Sequence, residues 1–357
     1  MDKKDHYRVI GLMSGTSLDG VDIACCTFTL ENERWTYRIE KAETISYSGT
    51  WKARLSSLEN GSSFDFVRTD TEYGQFLGEI TGDFLMRHLL RPDFISSHGH
   101  TIFHQPAKGF TSQIGKGSVI AALTGFPVIS DFRSLDIALG GQGAPLVPIG
   151  DRLLFGEYDY CLNLGGFANI SYEESGSRIA FDICPANIVL NHLASLMGKS
   201  HDENGSGASK GKVNLQMESE LNELAYYRKS PPKSLGKEWV LSNIHPILDK
   251  YRIPVRDQLR TFVEHISAQI GRAVKHEKAS RMLITGGGVF NDFLVQCIRM
   301  KTHAEIIVPD PLTINFKEAM IFAFLGVLRY REEVNCLGSY TGASRDNIGG
   351  SVFLIKP

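Results

Sequence analysis

The sequence lacks the patterns that mark membrane proteins and nucleic-acid-binding proteins. No segment approaches the ~18 uninterrupted apolar residues of a membrane-spanning helix, and residues 1–6 form no apolar signal region ahead of the first strand. The 38 Lys and Arg residues nearly balance the 40 Asp and Glu residues, and no long run carries one sign of charge. We therefore expect neither nucleic acid nor a membrane surface as a partner.

The cysteines show no pattern either. The 357 residues include six cysteines, with neither a C-x-x-C pair nor the spacing of a disulfide framework. Most of them stand in apolar runs, as reduced core thiols do. With 42% hydrophobic and 22% charged residues, the composition is that of an ordinary globular protein with room for two domains. These features predict a cytoplasmic protein.

Residues 11–22, GLMSGTSLDGVD, are the most informative stretch of the chain. An apolar strand over 7–12 runs into a turn of small residues, and the chain leaves as a second strand over 21–28. Such a turn can present backbone N–H groups to an anion, whereas the Walker loop and the dinucleotide fingerprint lead into a helix. The glycines alone fit an ordinary hairpin turn equally well. Four side chains favour a phosphate-binding hairpin of the kind used by actin-like and sugar-kinase-like ATPases: Ser14, Thr16, Ser17 and Asp19.

The same organisation recurs later in the chain. Residues 160–171 again predict a strand, a small-residue turn and a strand. Residues 281–288 predict a strand that ends in three glycines, with a helix from Asn291 whose N-terminus would attract an anion. Two glycine hairpins and a third glycine loop predict duplicated α/β domains that close on a nucleotide.

Hydrophobic spacing predicts the remaining elements. Strands are expected over 35–47 and 94–97, and a polar, glycine-rich surface loop over 201–214. Helices are expected over about 70–90, 118–123, 188–196, 255–276 and 316–330.

Several blocks of sequence, in the same order along the chain, resemble the anhydro-N-acetylmuramic acid kinases. The resemblance spans nearly the whole chain, which makes it far more specific than one glycine motif. The matching blocks lie at 15–22, 98–106, 131–138, 140–148, 163–171, 181–187, 231–234, 286–291 and 341–344.

The resemblance implies an α/β fold with two duplicated actin-like (ribonuclease H-like) domains around a central nucleotide and sugar cleft. The first domain would comprise 1–132 and 330–357, and the second 133–329. The family's members are usually homodimers. Their activity uses ATP and Mg²⁺ to open the 1,6-anhydro ring of 1,6-anhydro-N-acetylmuramic acid and to phosphorylate the freed O6. The product, N-acetylmuramic acid 6-phosphate, belongs to peptidoglycan recycling.

Asp182 corresponds to the family aspartate that activates the water attacking C1. A carboxylate can accept that proton while O6 leaves C1 and attacks the γ-phosphoryl group. From the residues alone, the alternative is that Asp182 caps the helix that follows it. The family block favours the general base.

The resemblance assigns four further residues to the sugar site: His98, Asp131, Arg133 and Asn187. Arginine can clamp a carboxylate through two parallel N–H groups, and the family's substrate carries a lactyl carboxylate. The alternative for Arg133 and Asp131 is a surface ion pair, which contributes little stability.

Glu318 corresponds to a family glutamate near the sugar. A competing interpretation is a capping box, with Asn315 as N-cap and Glu318 as the third helical residue. Both roles are compatible with the sequence.

The glycine turns supply the expected ATP site. Asp19 is also the expected Mg²⁺ ligand, with the Thr16 hydroxyl near the γ-phosphate, because Mg²⁺ needs only one or two carboxylates. The alternative for Asp19 is an Asp-Gly turn with Gly20. The ATP-binding residues implied by the resemblance are Gly15, Thr16, Ser17, Asp19, Gly20, Asp22, Gly165, Gly166, Asn169, Gly286, Gly287, Gly288 and Asn291.

Three histidines, His98, His100 and His104, also suggest a metal site, since the first two would share one face of a strand. No carboxylate or thiol joins them at a fitting spacing, and the family has glutamine at His100. We expect a polar, ligand-facing turn here and not a zinc site.

The chain departs from the family beside the proposed base. Ile183, Cys184 and Ala186 replace a threonine and two glycines, and Leu235 replaces another threonine. Glycine at these positions would permit a positive φ or close approach of a ligand. We expect altered kinetics or sugar preference. Two alternatives stay open: a kinase of another amino sugar, and a catalytically weak sensor that binds nucleotide or muropeptide.

Overall fold

The computed structural model describes residues 3–15, 18–274 and 280–355. The chain divides into two compact units. Unit 1 comprises Met1–Leu154 and Phe316–Pro357, and unit 2 comprises Phe155–Asn315. These boundaries differ from the ones expected from the sequence, 132/133 and 329/330.

The described residues form thirteen strands and thirteen α-helices, with short 3₁₀ turns between some of them. The strands are β1 His6–Met13, β2 Gly20–Glu31, β3 Arg34–Ser46, β4 Phe94–Ser97, β5 His100–Gln105, β6 Phe110–Ile114, β7 Val128–Ser130, β8 Tyr160–Leu164, β9 Phe167–Glu174, β10 Ser177–Pro185, β11 Arg281–Thr285, β12 Glu305–Ile307 and β13 Ser351–Phe353. The helices are α1 Gly49–Ser57, α2 Ser63–Arg87, α3 Gly117–Thr124, α4 Ser134–Ala138, α5 Val147–Leu154, α6 Asn187–Ser195, α7 Leu215–Asn222, α8 Lys237–Asn243, α9 His245–Lys250, α10 Val255–Ala273, α11 Asp292–Lys301, α12 Pro311–Tyr330 and α13 Gly338–Thr341.

The two units repeat one sheet topology. In unit 1 the order is β3-β2-β1-β4-β7, with β13 added at the edge, and in unit 2 it is β10-β9-β8-β11-β12. Each sheet has three antiparallel strands followed by two parallel ones. Each sheet packs against helices, as strands with both faces buried require. This repetition confirms the predicted pair of duplicated α/β domains.

Packing between α5 and α12 explains why unit 1 extends to residue 154. Lys317 of α12 and Asp151 of α5 form an ion pair at 2.7 Å, and both side chains are only 6% exposed. Gly150 of α5 lies against Ile321 of α12, where an added Cβ would stand 2.7 Å from its side chain. The boundary expected at 132/133 precedes α5, whereas these contacts join α5 to unit 1.

Helix α12 begins earlier than the sequence predicts, and this corrects the capping box proposed for Glu318. The carboxylate of Asp310 accepts hydrogen bonds from the N–H groups of Leu312 (2.9 Å) and Thr313 (3.1 Å) and so caps the helix at Pro311. Asn315 therefore lies inside the helix and cannot be its N-cap. By length and composition α12 could span a bilayer, but 78% of its most apolar window is buried within the protein.

The expectation of a surface loop over 201–214 is confirmed only in part, because the segment has no α-helix or strand and several exposed residues but also a buried portion. This segment contains two 3₁₀ turns, Glu203–Gly205 and Ala208–Lys210, and its Asp202 is buried. The Asp202 carboxylate accepts hydrogen bonds from the N–H groups of Gly207 (2.7 Å) and Ala208 (2.9 Å). The polar and glycine-rich composition here serves tight packing around a buried carboxylate, which local composition does not distinguish from solvent exposure.

Candidate active site

The opening turn joins β1 to β2, as predicted, and Thr16 and Ser17 lie outside the described residues. Asp19 is exposed, and its carbonyl accepts a hydrogen bond from the Tyr47 N–H at 3.2 Å. Gly20 begins β2, and a Cβ there would collide with the carbonyl of Ile45 on β3, so strand pairing already requires this glycine. Among the described residues of this turn, Leu18 has a positive φ (59°). Gly20 therefore has a packing role, while Asp19 remains available to a ligand.

A buried chain of polar side chains lies under this turn. The Ser14 hydroxyl contacts the Tyr47 hydroxyl at 2.6 Å and Nδ1 of His100 at 2.8 Å, and Tyr47 in turn contacts the hydroxyl of Tyr73. Burial lowers the pKa of His100 to about 4, so its imidazole is neutral near pH 7. The Ser14 hydroxyl is therefore engaged inside the protein by Tyr47 and His100. Tyr47 and Tyr73 carry no sequence signal for this role.

Asp19, the expected Mg²⁺ ligand, and Asp22, an expected ATP-binding residue, belong to no multidentate metal cluster among the described residues. Asp22 accepts a hydrogen bond from Thr44 at 2.6 Å, and its pKa is raised by burial and then by the charge of Asp19. Within the described ranges, no three His, Cys, Asp or Glu side chains are placed to hold one metal ion. An exposed carboxylate such as Asp19 suits Mg²⁺, which keeps most of its water ligands.

The three histidines have three separate partners. His98 contacts Arg133, His100 contacts Ser14, and Nδ1 of His104 contacts the Thr111 hydroxyl at 3.2 Å. This distribution agrees with the expected polar turn and gives no support to a zinc site.

Arg133 is held by two acceptors of unit 1. Its Nε and Nη2 donate to Nε2 of His98 (3.1 and 2.8 Å), and its Nη1 donates to the carbonyl of Gly143 (2.5 Å). Burial lowers the pKa of Arg133 to about 10, which still leaves it charged near pH 7. These contacts use three of the five N–H groups of a guanidinium. The other two N–H groups donate to no acceptor among the described residues, and binding of a carboxylate by them stays a prediction.

Asp131 does not share these contacts. Its carboxylate accepts hydrogen bonds from the N–H (3.3 Å) and the hydroxyl (2.6 Å) of Ser134, at the start of α4. The structure therefore brings Arg133 to His98 and Gly143, whereas Asp131 has a local role at a helix end.

Asp136 is a residue that sequence reasoning missed. It is fully buried, and its carboxylate accepts four hydrogen bonds. The donors are the Gly143 N–H (2.8 Å), the Thr341 hydroxyl (2.8 Å), the Asn347 amide (3.0 Å) and the Cys336 thiol (3.1 Å). Asp136 thereby ties the C-terminal segment to the glycine-rich loop that orients Arg133. The one available signal in the sequence is an aspartate three residues after Arg133, and the sequence does not show that it is buried.

Glu318 lies on α12 with part of its surface exposed. Its pKa is raised because the surrounding protein limits its hydration and because Asp22 adds negative charge. Arg133 and Lys317 oppose this rise. Glu318, Asp22 and Arg133 therefore influence one another electrostatically within unit 1.

Asp182 lies at a β-bulge in unit 2. It pairs with Asn169 on β9, whereas Cys184 pairs with the adjacent Ala168, so Ile183 is the extra residue. Bulges re-aim side chains and are frequent near active sites. Because Asn169 and Ala168 face opposite sides of β9, Asp182 and Cys184 also point to opposite faces.

The carboxylate of Asp182 suits a general base. Its Oδ2 accepts a hydrogen bond from the Leu235 N–H at 2.9 Å. Burial raises the pKa of Asp182 to about 6, and the bond from Leu235 opposes that rise. The alternative role as a helix cap is wrong, because α6 has Ala186 at its N-cap and no side-chain capping bond.

All three family departures beside Asp182 are buried. Ile183 is 3% exposed, and Cys184 and Ala186 are fully buried in the core of unit 2. The φ angle of Ala186 is −130°, outside the left-handed region that would require glycine. An effect of these residues on the sugar stays a prediction.

The second glycine turn contacts the start of α6. The carbonyl of Gly166 accepts a hydrogen bond from the Ala186 N–H (2.8 Å), and that of Gly165 accepts one from the Asn187 N–H (3.2 Å). The Asn187 side chain donates to the carbonyl of Leu164 at 3.1 Å. Gly165, Gly166, Asn187, Asn169 and Asp182 are thus gathered at one end of the unit 2 sheet. Their contacts with ATP or sugar remain a prediction.

The third glycine loop follows β11 and leads into α11, as predicted. Gly286 has φ of 85°, and an added Cβ would stand 2.5 Å from Oδ1 of Asn163. A Cβ added at Gly288 would stand 2.7 Å from the Cβ of Leu164, so packing explains both glycines. Gly287 is exposed with open space around it, which makes it the glycine best placed to approach a ligand. Asn291 caps α11 by accepting a bond from the Leu294 N–H at 2.9 Å.

Known proteins of one family resemble this chain over nearly its whole length. The family model "Anhydro-N-acetylmuramic acid kinase" matches residues 7–355. A protein of that name from Synechococcus elongatus is 32% identical, covering 97% of this chain and 99% of the relative. One from Mannheimia succiniciproducens is also 32% identical, covering 98% and 99%.

Solved structures resemble the chain more distantly. The activator of 2-hydroxyisocaproyl-CoA dehydratase from Clostridium difficile, with bound ADPNP, has a TM-score of 0.43 at 16% identity and covers 92% of this chain and 98% of its own. A ROK family glucokinase from Streptomyces griseus, with glucose and AMPPNP, has a TM-score of 0.39 at 11% identity and covers 89% and 98%.

Proposed function

The chain belongs to the anhydro-N-acetylmuramic acid kinase family, and on that premise we propose that it is an ATP-dependent hydrolytic kinase. It opens the 1,6-anhydro ring of 1,6-anhydro-N-acetylmuramic acid and phosphorylates O6, giving N-acetylmuramic acid 6-phosphate for peptidoglycan recycling. The observation that carries the proposal is Asp182, a half-buried carboxylate with a raised pKa at the end of a strand.

Asp182 acts as the general base. With a pKa of about 6 it is mostly ionised near pH 7 and still basic enough to accept a proton from water. That water attacks C1, the C1–O6 bond breaks, and O6 attacks the γ-phosphoryl group of ATP. The Leu235 N–H keeps the carboxylate pointed in one direction. Positioning of this kind supplies a large part of the rate.

Arg133 binds the carboxylate of the sugar through its two remaining N–H groups. Its other three N–H groups donate to His98 and Gly143, and these bonds fix the orientation of the guanidinium group. Glu318 contacts the sugar as well, and the charge of Arg133 opposes the rise in its pKa. His98 acts through Arg133, and we keep Asp131 and Asn187 as sugar-binding candidates because the family resemblance implies them.

ATP is held by the glycine turns. The opening turn around Gly15 presents N–H groups to the phosphates, and Gly287 offers open space in the third glycine loop. Asp19 would hold Mg²⁺, which when bound neutralises charge on the phosphates. We further propose a cytoplasmic homodimer, as the family implies; light scattering on the purified protein reports its mass directly.

The decisive experiment incubates the purified protein with ATP, Mg²⁺ and 1,6-anhydro-N-acetylmuramic acid. The proposal predicts release of ADP together with a phosphorylated reducing sugar. Asp182→Asn should abolish turnover and keep ATP binding, whereas Asp249→Asn, at an exposed position of the same unit, should remain active. Turnover of a different amino sugar only, or tight binding without any turnover, would replace the proposal with one of the two alternatives.

A further inference from the structure

The segment from Tyr226 to Leu235 forms hydrogen bonds with three polar groups of Asp182: its carbonyl, its N–H and its carboxylate. The Asp182 carbonyl accepts a hydrogen bond from the Tyr226 hydroxyl at 2.6 Å. The Asp182 N–H donates to the carbonyl of Lys233 at 3.1 Å, and the Asp182 carboxylate accepts from the Leu235 N–H at 2.9 Å. The orientation of the carboxylate therefore depends on where this segment lies.

Lys233 contacts an aromatic ring on β10 and another in the 226–235 segment. Its ammonium group lies 4.8 Å from the ring centre of Tyr226 and 5.5 Å from that of Phe181, the residue before Asp182. Its Nζ also lies 3.4 Å from the carbonyl of Tyr226. A cation shared by two aromatic faces gains from both, and more so when it is partly removed from water. Lys233 is half-buried at this position.

We propose that Lys233 is a positioning residue, whose ammonium clamps the 231–235 segment onto Tyr226 and Phe181 so that the Leu235 N–H stays on Oδ2 of Asp182. The proposal rests on the assignment of Asp182 as the general base. Lys233 touches neither of the carboxylate oxygens in the contacts described, and it acts through the backbone that follows it.

Other groups near Asp182 do not titrate near neutral pH. Burial raises the pKa of the Cys184 thiol and of the Tyr226 hydroxyl, so both stay protonated. Burial lowers the pKa of His265, which contacts Tyr227, to about 3, and Asn169 opposite Asp182 carries no charge. Glu318, whose pKa is also raised, and the substrate groups contribute equally in every variant, so a difference in the acid limb between variants reports Asp182.

The test is the pH profile of kcat/KM in Lys233→Met, which keeps the apolar stem and removes the charge. A loosened Leu235 N–H no longer favours the ionised carboxylate, so the acid limb moves to higher pH. We expect kcat/KM to fall about tenfold at pH 5.5 and much less at pH 8. Lys233→Arg keeps a cation over both rings and should keep the wild-type limb. Lys229→Met, at an exposed neighbouring lysine, should match the wild type.

The outcomes separate this inference from the proposed function. If Asp182→Asn retains turnover, the general base is wrong and the positioning role falls with it. If Asp182→Asn is inactive but Lys233→Met has the wild-type acid limb, only the positioning role is overturned. Should Lys233→Met fail to fold, Phe181→Leu removes one of the two rings and should move the limb in the same direction; an unmoved limb there also overturns the clamp.

Discussion

Arg133 directs two of its N–H groups at a single atom of His98. Its Nε lies 3.1 Å and its Nη2 2.8 Å from Nε2 of that histidine. This nitrogen must therefore be an unprotonated acceptor, which leaves the hydrogen on Nδ1, 2.9 Å from the carbonyl of Gly99. Burial and the charge of Arg133 hold the pKa of His98 well below its usual range. His98 is thus a neutral support that orients the guanidinium.

Replacing His98 with phenylalanine should weaken sugar binding selectively. The ring can stay against Phe322, now 4.5 Å away between centroids, but Arg133 loses the acceptor for two N–H groups. We expect the KM for the sugar to rise about tenfold, the effect of one charge-assisted hydrogen bond, with the KM for ATP unchanged. Steady-state kinetics with each substrate varied measures both, and His104→Phe on the neighbouring hairpin is the control. Equal changes in both KM values would contradict the role.

Replacing Asp182 with asparagine should stabilise the protein near pH 7. The pKa of Asp182 is raised in the folded protein to about 6 from 3.8, so the folded state binds a proton more tightly than the unfolded chain does. This group therefore costs stability increasingly as pH rises through 4 to 6, and the cost is complete above about 6. We expect Asp182→Asn to gain about 1–3 kcal/mol at pH 7 and little at pH 4.

Chemical denaturation of both proteins at the two pH values checks this expectation. Asp249→Asn, which changes an exposed carboxylate, supplies the matched control. A gain for Asp182→Asn that is the same at pH 4 and pH 7 would show that charge burial is not its cause.

Asp136→Asn should damage both stability and sugar binding. An asparagine has one acceptor oxygen, whereas the Asp136 carboxylate accepts four bonds without exposure to water. The loss should be about 2–4 kcal/mol of unfolding free energy. Because the Gly143 N–H is one of the donors and the Gly143 carbonyl holds Arg133, the KM for the sugar should rise as well.

Thermal unfolding and sugar kinetics of Asp136→Asn measure the two effects. Asp346→Asn removes an exposed carboxylate that accepts a single backbone bond from Gly338 and should be far milder. A stable Asp136→Asn variant with wild-type kinetics would rule out the proposed coupling to Arg133.

The family departures should act on stability more than on sugar choice. From the sequence, Cys184 and Ala186 predict altered kinetics or preference; in the structure both are fully buried in the core of unit 2. Cys184→Gly would leave a cavity, at a cost of about 1–3 kcal/mol. We expect kcat/KM for the anhydro-sugar to stay within about threefold once the folded fraction is accounted for. A larger change in preference among amino sugars would restore a direct role at the site.

The sequence by itself determined the strands that flank the glycine turns, the turns themselves, the duplicated α/β organisation and the family. These features follow from hydrophobic period and from motifs that are contiguous in the chain, as in the β1–β2 hairpin and the 160–174 hairpin. The identity of Asp182 as the proposed base also came from a contiguous block. Its surroundings did not.

Only the tertiary structure decided how the key side chains are held. Asp136 is bound by Cys336, Thr341 and Asn347, about two hundred residues away, and Asp182 by Leu235, fifty-three residues away. The cap at Asp310 likewise overturned a capping box drawn from a short motif, and the buried Asp202 lies in a segment whose composition predicts only a surface loop. Hydrogen bonds between distant residues depend on the packed fold and leave no period in the sequence. The sequence therefore determines which chemical groups are present, and the folded structure determines which of them are charged, how they are oriented and which of them pair.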